Sequence, residues 1–204
     1  MTAAPAARRV GVMGGAFDPP HLAHRALLEA AQLQLQLDEL RVIPTGQAWH
    51  KPRALSDASH RLAMVQLAFG DLPGATLDPR EITRDGPSYT VDTLRELRAE
   101  RPTDQFFLII GADQARALTS WRAWSEILQL AIICVADRAC AVGESDRCEA
   151  EQAAPSRFLH LAMPALDISA TDIRNRISAR QSVSTLVCEA VARYIADHHL
   201  YQTV

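Results

Sequence analysis

Two histidines three residues apart, His21 and His24, follow a glycine pair in the string VGVMGGAFDPPHLAH over residues 10–24. At that spacing both imidazoles fall on one face of a helix. At a helix start they join backbone N–H groups that carry partial positive charge and point outward. Gly14 and Gly15 add close backbone approach, because no Cβ stands in the way. The combination suits a polyanion, such as a chain of phosphates. Asp18 is placed to cap the helix, and Pro19 or Pro20 to open its first turn. The string fits neither G-x-G-x-x-G nor the P-loop pattern. As zinc ligands the two histidines would lack a completing Cys or His nearby.

A second string, DISATDIR over residues 167–174, repeats the theme. Ser169 suits the N-cap of a helix and Asp172 its first turn. Thr171 and Arg174 add a hydroxyl and a guanidinium. Alone, this is a well-started helix and nothing more. Other candidates lie between the two strings. Lys51 sits in a polar loop, where a lysine is ordinarily just solvated. Ser88 or Thr90 caps the helix that carries Tyr89. Asp113 follows an apolar strand. Trp121 and Trp124, three apart on a helical stretch, are ordinary core residues unless one shows its flat face to a heteroaromatic ring.

The elements that must hold these residues alternate. Val10 and Val12 lie in a short apolar run that suits a strand covered on both faces. A Leu- and Ala-rich helix is expected over residues 21–36, since Gln and Leu favour helix over the alternating end at 32–37. A strand over 39–43 stops at Pro44, and a polar loop runs to 57. A helix over 59–69 turns His60 and Arg61 outward. Residues 74–83 read as a short strand and an edge segment, 84–87 as a turn, and a helix then runs to 101. Strands are expected over 105–110, 131–136 and 157–162, with a variable surface loop over 139–156. The last helix, 185–198, buries Leu186, Val187, Ala190, Val191, Tyr194 and Ile195 and leaves His198 and His199 to solvent. Alternation of this kind predicts a single doubly wound, mostly parallel α/β sheet over residues 10–204, preceded by a frayed tail over 1–9.

Motif by motif, the chain resembles a known family. The first string is similar to the G-G-[ST]-F-D-P-x-H-x-G-H signature of the nucleotidyltransferase superfamily, with Ala16 where Ser or Thr is usual and Ala23 where Gly is usual. The second is similar to its I-S-x-T-x-I-R motif. Ser88-Tyr-Thr90 followed by Asp-Thr-Leu, and Gly111-x-Asp113 with Trp121 beyond it, resemble the bacterial-type nicotinate-nucleotide adenylyltransferases. That resemblance implies a Rossmann-like fold and transfer of AMP from ATP to nicotinate mononucleotide, giving deamido-NAD and pyrophosphate. It implies that His21 and His24 meet the ATP phosphates and that Arg174, with Ser169 and Thr171, holds their β/γ end. Gly14, Gly15, Ala16 and Phe17 would pack on the nucleotide, and Asp113 would serve the ribose or a metal shell. Trp121 would stack the pyridine ring, with Tyr89, Thr90 and Lys51 at the mononucleotide end. A Mg²⁺ ion held mainly by ATP phosphates is implied as well. A phosphopantetheine-type adenylyltransferase explains the first motif but not the Ser88 and Trp121 regions. A non-catalytic nucleotide sensor of the same fold would not need His21, His24 and Arg174 intact.

Composition narrows the classes further. The 204 residues carry a net charge of −3, which gives no reason to expect a nucleic-acid or membrane surface. The four cysteines form no C-x-x-C pair, and Cys134 lies in an apolar run as a core residue. A reduced, cytoplasmic setting follows. The first nine residues lack the apolar stretch of a signal peptide. The sequence leaves a homo-oligomer open.

Overall fold

A computed structural model describes residues 6–46, 55–138 and 147–202. Six strands form one sheet: β1 (Arg9–Gly15), β2 (Glu39–Pro44), β3 (Ala75–Leu77), β4 (Gln105–Gly111), β5 (Ala131–Arg138) and β6 (Phe158–Met163). Their order is β3-β2-β1-β4-β5-β6 and every pairing is parallel. The chain therefore winds outward in both directions from β1, and the order reverses between β1 and β4. That reversal leaves a crevice at the carboxyl ends of the strands.

Strand residues alternate between two apolar layers, as a sheet covered on both sides requires. Val10, Val12, Phe106, Leu108 and Ile133 face one layer, with Val91, Leu94 and Leu97 of α4 (Thr90–Glu100) and Ile127 of α6 (Trp124–Leu130). Met13, Val42, Phe107, Ile109 and Cys134 face the other, against α1 (Leu22–Leu35), α2 (Ala58–Phe69), α8 (Ala170–Ser178) and α9 (Glu189–Asp197). Cys134 is fully buried, and burial pushes its thiol up to about 12, which makes it an inert core residue.

Several local expectations are corrected. β1 opens at Arg9, inside the stretch expected to fray, and the Arg9 guanidinium lies 4.5 Å above the Phe107 ring. The edge segment after β3 is a short helix, α3 (Arg80–Thr83), anchored by ion pairs from Arg80 to Asp78 and Glu100. Within the expected loop over 139–156 stands α7 (Glu149–Ala153), with Ala150 and Glu151 buried. Trp121 and Trp124 do not share a helix. Trp121 is extended, Ala123 takes a left-handed φ of 50°, and Trp124 begins α6. The last helix starts later than expected; Val187, Val191 and Ile195 are buried, whereas Ala190 is exposed. His198 and His199 are exposed as expected, though the His198 ring rests 4.2 Å from that of Tyr194. Among the described residues no helix is long and apolar enough to cross a membrane.

Candidate active site

The crevice at the strand reversal measures about 1110 Å³. The end of β1 supplies Gly14 and Gly15, with Ala16 just beyond it, and the start of α1 supplies its N-cap His21 with Ala23 and His24. The far wall carries Tyr89 and Thr90 at the start of α4, Asp113 in the first turn of α5 (Ala112–Arg116), and Trp121 with Arg122. Val135, Glu151, His160 and Ile168 complete it on the β5–β6 side.

The loop between β1 and α1 is built from within. Phe17 adopts a left-handed φ of 45° and buries its ring edge-on to His24 and Phe69. A Cβ on Gly15 would stand 3.0 Å from that ring, so a glycine there permits the fold-back. Phe17 therefore lies beneath the crevice and not in its wall. Asp18 does not cap α1. His21 is the N-cap, and the Asp18 carboxylate instead accepts the Ser56 N–H at 3.2 Å and the Tyr201 hydroxyl at 2.7 Å.

Arg61 corrects a further expectation. It points inward, is 3 % exposed, and donates to the carbonyls of Ala16 (3.1 Å), Thr45 (2.6 Å) and Ser56 (3.0 Å). One guanidinium thus ties the loop after β1 to the loop after β2. Burial pulls its pKa below the ordinary value, opposed by the charge of Asp18. A periodic signal was present: positions 61, 64, 65 and 68 form one helical stripe, and the other three are buried apolar residues.

His21 and His24 lie together at the start of α1, with ring centroids 3.6 Å apart and 24° between planes. The His21 N–H is given to His24 Nδ1 at 3.3 Å. The reciprocal approach of the His24 N–H to the His21 ring completes no hydrogen bond, because that N–H goes to the His21 carbonyl at 3.0 Å. Nδ1 of His21 is consequently buried with no hydrogen-bond partner among the described residues. Burial pushes His21 down to about 4, so its ring is neutral at pH 7. Because Nδ1 of His24 accepts a hydrogen bond, its neutral form carries the proton on Nε2.

The second string arrives from the other side. Ser169 is the N-cap of α8, and its hydroxyl accepts the Asp172 N–H at 3.0 Å. Arg174 donates Nη2 to Thr171 Oγ1 at 3.0 Å and Nη1 to the Asp18 carbonyl at 2.8 Å. The two sequence motifs are thereby bonded to each other. Ile168 lines the crevice, whereas Ser169, Thr171 and Arg174 are not among the residues that line it. Lys51 falls outside the described residues.

On the far wall Ser88 is not a cap. It is buried and donates to the Glu81 carbonyl, and Tyr89 holds the N-cap position of α4. The Arg122 guanidinium lies 4.7 Å above the Tyr89 ring. Arg122 was not legible as a site residue; only its place beside Trp121 hinted at it. Three carboxylates line the crevice. Glu81 is buried, raised by desolvation and bonded to Thr93; Glu151 is buried and bonded to His160 at 2.9 Å. Asp113 is exposed, with its carboxylate over Gly111, where a Cβ would come within 2.8 Å of it. No three His, Cys, Asp or Glu side chains converge as a metal cage among the described residues. The exposed Asp113 carboxylate on the crevice wall is an oxygen donor of the type that Mg²⁺ takes.

The fold and the joined helix starts define a nucleotidyltransferase of Rossmann-like build, and residues 12–176 match the cytidylyltransferase-like family. A curated relative from Albidiferax ferrireducens, named a probable nicotinate-nucleotide adenylyltransferase, is 65 % identical over 96 % of this chain and 99 % of its own. Another of that name, from Methylibium petroleiphilum, is 43 % identical over 95 % of this chain and 92 % of its own. The chain belongs to the nicotinate-nucleotide adenylyltransferase family. The same fold recurs in the Plasmodium falciparum nicotinic acid mononucleotide adenylyltransferase complexed with NaAD. There the TM-score is 0.80, with 18 % identity over 95 % of this chain and 97 % of that one.

Proposed function

We propose that this crevice transfers AMP from ATP to nicotinate mononucleotide through charge stabilisation by His24 and Arg174. The observation that carries the reading is the bond from Arg174 of α8 to the Asp18 carbonyl at 2.8 Å, which ties α8 to the loop that leads into the stacked histidines. The starts of α1 and α8 are both favourable to phosphate.

The chemistry asks little of a protein base. A phosphate oxygen of the mononucleotide, already ionised, attacks the α-phosphorus of ATP. A new P–O bond forms, the bond from the α-phosphorus to the bridging oxygen breaks, and pyrophosphate leaves with that electron pair. The rate is then set by alignment and by donors aimed at the charge that develops. His24 offers Nε2–H to the α-phosphate and bridging oxygen, while neutral His21 packs behind it. Arg174 grips the β/γ end, and Ser169 and Thr171 fix its approach. Gly14, Gly15 and Ala16 let the nucleotide lie close to β1. A Mg²⁺ ion bound to the phosphates would neutralise part of their charge, with Asp113 placed to hold it. At the other end Trp121 stacks the pyridine ring, and Tyr89, Thr90 and Arg122 favour an acidic acceptor. Lys51 contributes to phosphate binding. A cytoplasmic location matches this pair of small, charged substrates.

Pyrophosphate release from ATP against a panel of acceptors tests the reading. Release should depend on nicotinate mononucleotide, with nicotinamide mononucleotide weaker and phosphopantetheine inactive. Release with phosphopantetheine alone would assign the other transferase; no release with any acceptor would leave a nucleotide sensor.

A further inference from the structure

We infer that Tyr201 is a positioning residue for the transfer reaction, acting through Asp18 on the loop that carries His21 and on Arg174. Tyr201 follows α9 and is far from the first motif in sequence, yet its hydroxyl donates to Asp18 Oδ1 at 2.7 Å. Asp18 is 2 % exposed. Its other carboxylate oxygen accepts the Ser56 N–H, and its backbone carbonyl accepts Arg174. One residue therefore receives bonds from the segment after α9, from the loop after β2 and from α8. Removing one of them loosens the point from which Arg174 is aimed. A small error in aim is costly where catalysis rests on alignment.

A second contact brackets the same loop from the same segment. The carbonyl of Leu186, just before α9, accepts the N–H of Leu22, the first helical residue of α1. His21 thus lies between two points held by residues 186–201. Tyr201 keeps a left-handed φ of 63°, which a tyrosine adopts only when its surroundings fix it. The phenol stays protonated throughout the working range, because burial and the Asp18 carboxylate both raise its pKa. It is a permanent donor and not a titrating group.

This inference rests on the phosphate role proposed for Arg174, so the experiment separates the two. Tyr201→Phe removes only the hydroxyl. It is compared with wild type, Arg174→Lys and the double variant in steady state with ATP and nicotinate mononucleotide. Equilibrium ATP binding to the folded proteins, well below their melting temperatures, reads the same quantity without turnover. Tyr201→Phe should lower kcat/KM for ATP roughly tenfold and leave KM for the mononucleotide within about twofold. In the Arg174→Lys background the same change should cost less than about threefold, because both act through one guanidinium. Wild-type ATP kinetics and ATP binding in Tyr201→Phe, with Arg174→Lys impaired, would overturn the inference alone. Equal losses for both substrates, or losses that add fully in the double variant, would make Tyr201 a fold residue only. Wild-type ATP kinetics in Arg174→Lys would remove the phosphate role and this inference together.

Discussion

His21 and His24 stack with centroids 3.6 Å apart, and the backbone N–H of the first is given to Nδ1 of the second. Two protonated rings at that distance would repel each other, and burial already keeps His21 neutral by pushing it down to about 4. The pair therefore lines the crevice with one neutral ring, His21, and one ring whose Nδ1 is held as an acceptor, His24. Protonation of His24 would abolish the acceptor at Nδ1 and release the hydrogen bond that orients it.

The buried neutral state of His21 has a consequence for stability. Its pKa is about 4 in the fold and about 6.5 in an unfolded chain. Between those values the unfolded chain holds a proton that the folded chain lacks, so stability falls as pH falls from about 6.5 to about 4, by up to roughly 1.4 kcal/mol per unit. His21→Asn should flatten that part of the curve relative to wild type. Chemical denaturation at several pH values checks it, and parallel curves would show that His21 titrates normally.

Arg174→Lys should raise KM for ATP roughly tenfold and change KM for the mononucleotide little. A lysine cannot reach a phosphate and the Asp18 carbonyl with one planar group. Equal effects on both substrates would point to a structural role for the link to Asp18.

At the other end of the crevice, Trp121→Ala should raise KM for nicotinate mononucleotide roughly two- to tenfold, with a smaller effect on ATP, as the loss of one ring stack would do. Arg122→Ala should narrow the preference for nicotinate over nicotinamide mononucleotide, because the lost charge favours the acid. Steady-state kinetics with both acceptors measure the two effects. A Trp121→Ala protein that melts early with no selective change in KM would make Trp121 a core residue.

Arg61 holds three carbonyls from two loops, so Arg61→Met should destabilise the fold by roughly 3 kcal/mol, since buried acceptors are left without a donor. Thermal and denaturant melts check this. An unchanged melting temperature would mean that water replaces the guanidinium and that the loops do not depend on it.

What was legible in the sequence, and what was not, divides along the range of the interactions. The strands and the helix starts at Ser169 and His21 follow from local pattern, and β1, β4 and α8 stand within a residue or two of their expected places. Asp18 reads locally as a cap, whereas its actual partners Ser56 and Tyr201 arrive only on folding. Arg61, expected on the outer side of its helix, shares instead the helical position of the buried Met64, Val65 and Ala68. The contact of Arg122 with Tyr89 spans two loops on the crevice wall, and no spacing in the chain announces it.

The charge-stabilising role of His24 is tested most directly by the single-turnover rate of pyrophosphate formation in wild type and His24→Ala at saturating ATP and nicotinate mononucleotide. Loss of one donor aimed at developing charge costs about 10²–10³ in rate. His24→Ala should show that loss with a melting temperature close to wild type, because His24 is only half-buried on the crevice wall. A folded His24→Ala protein that forms pyrophosphate at the wild-type rate would contradict the role.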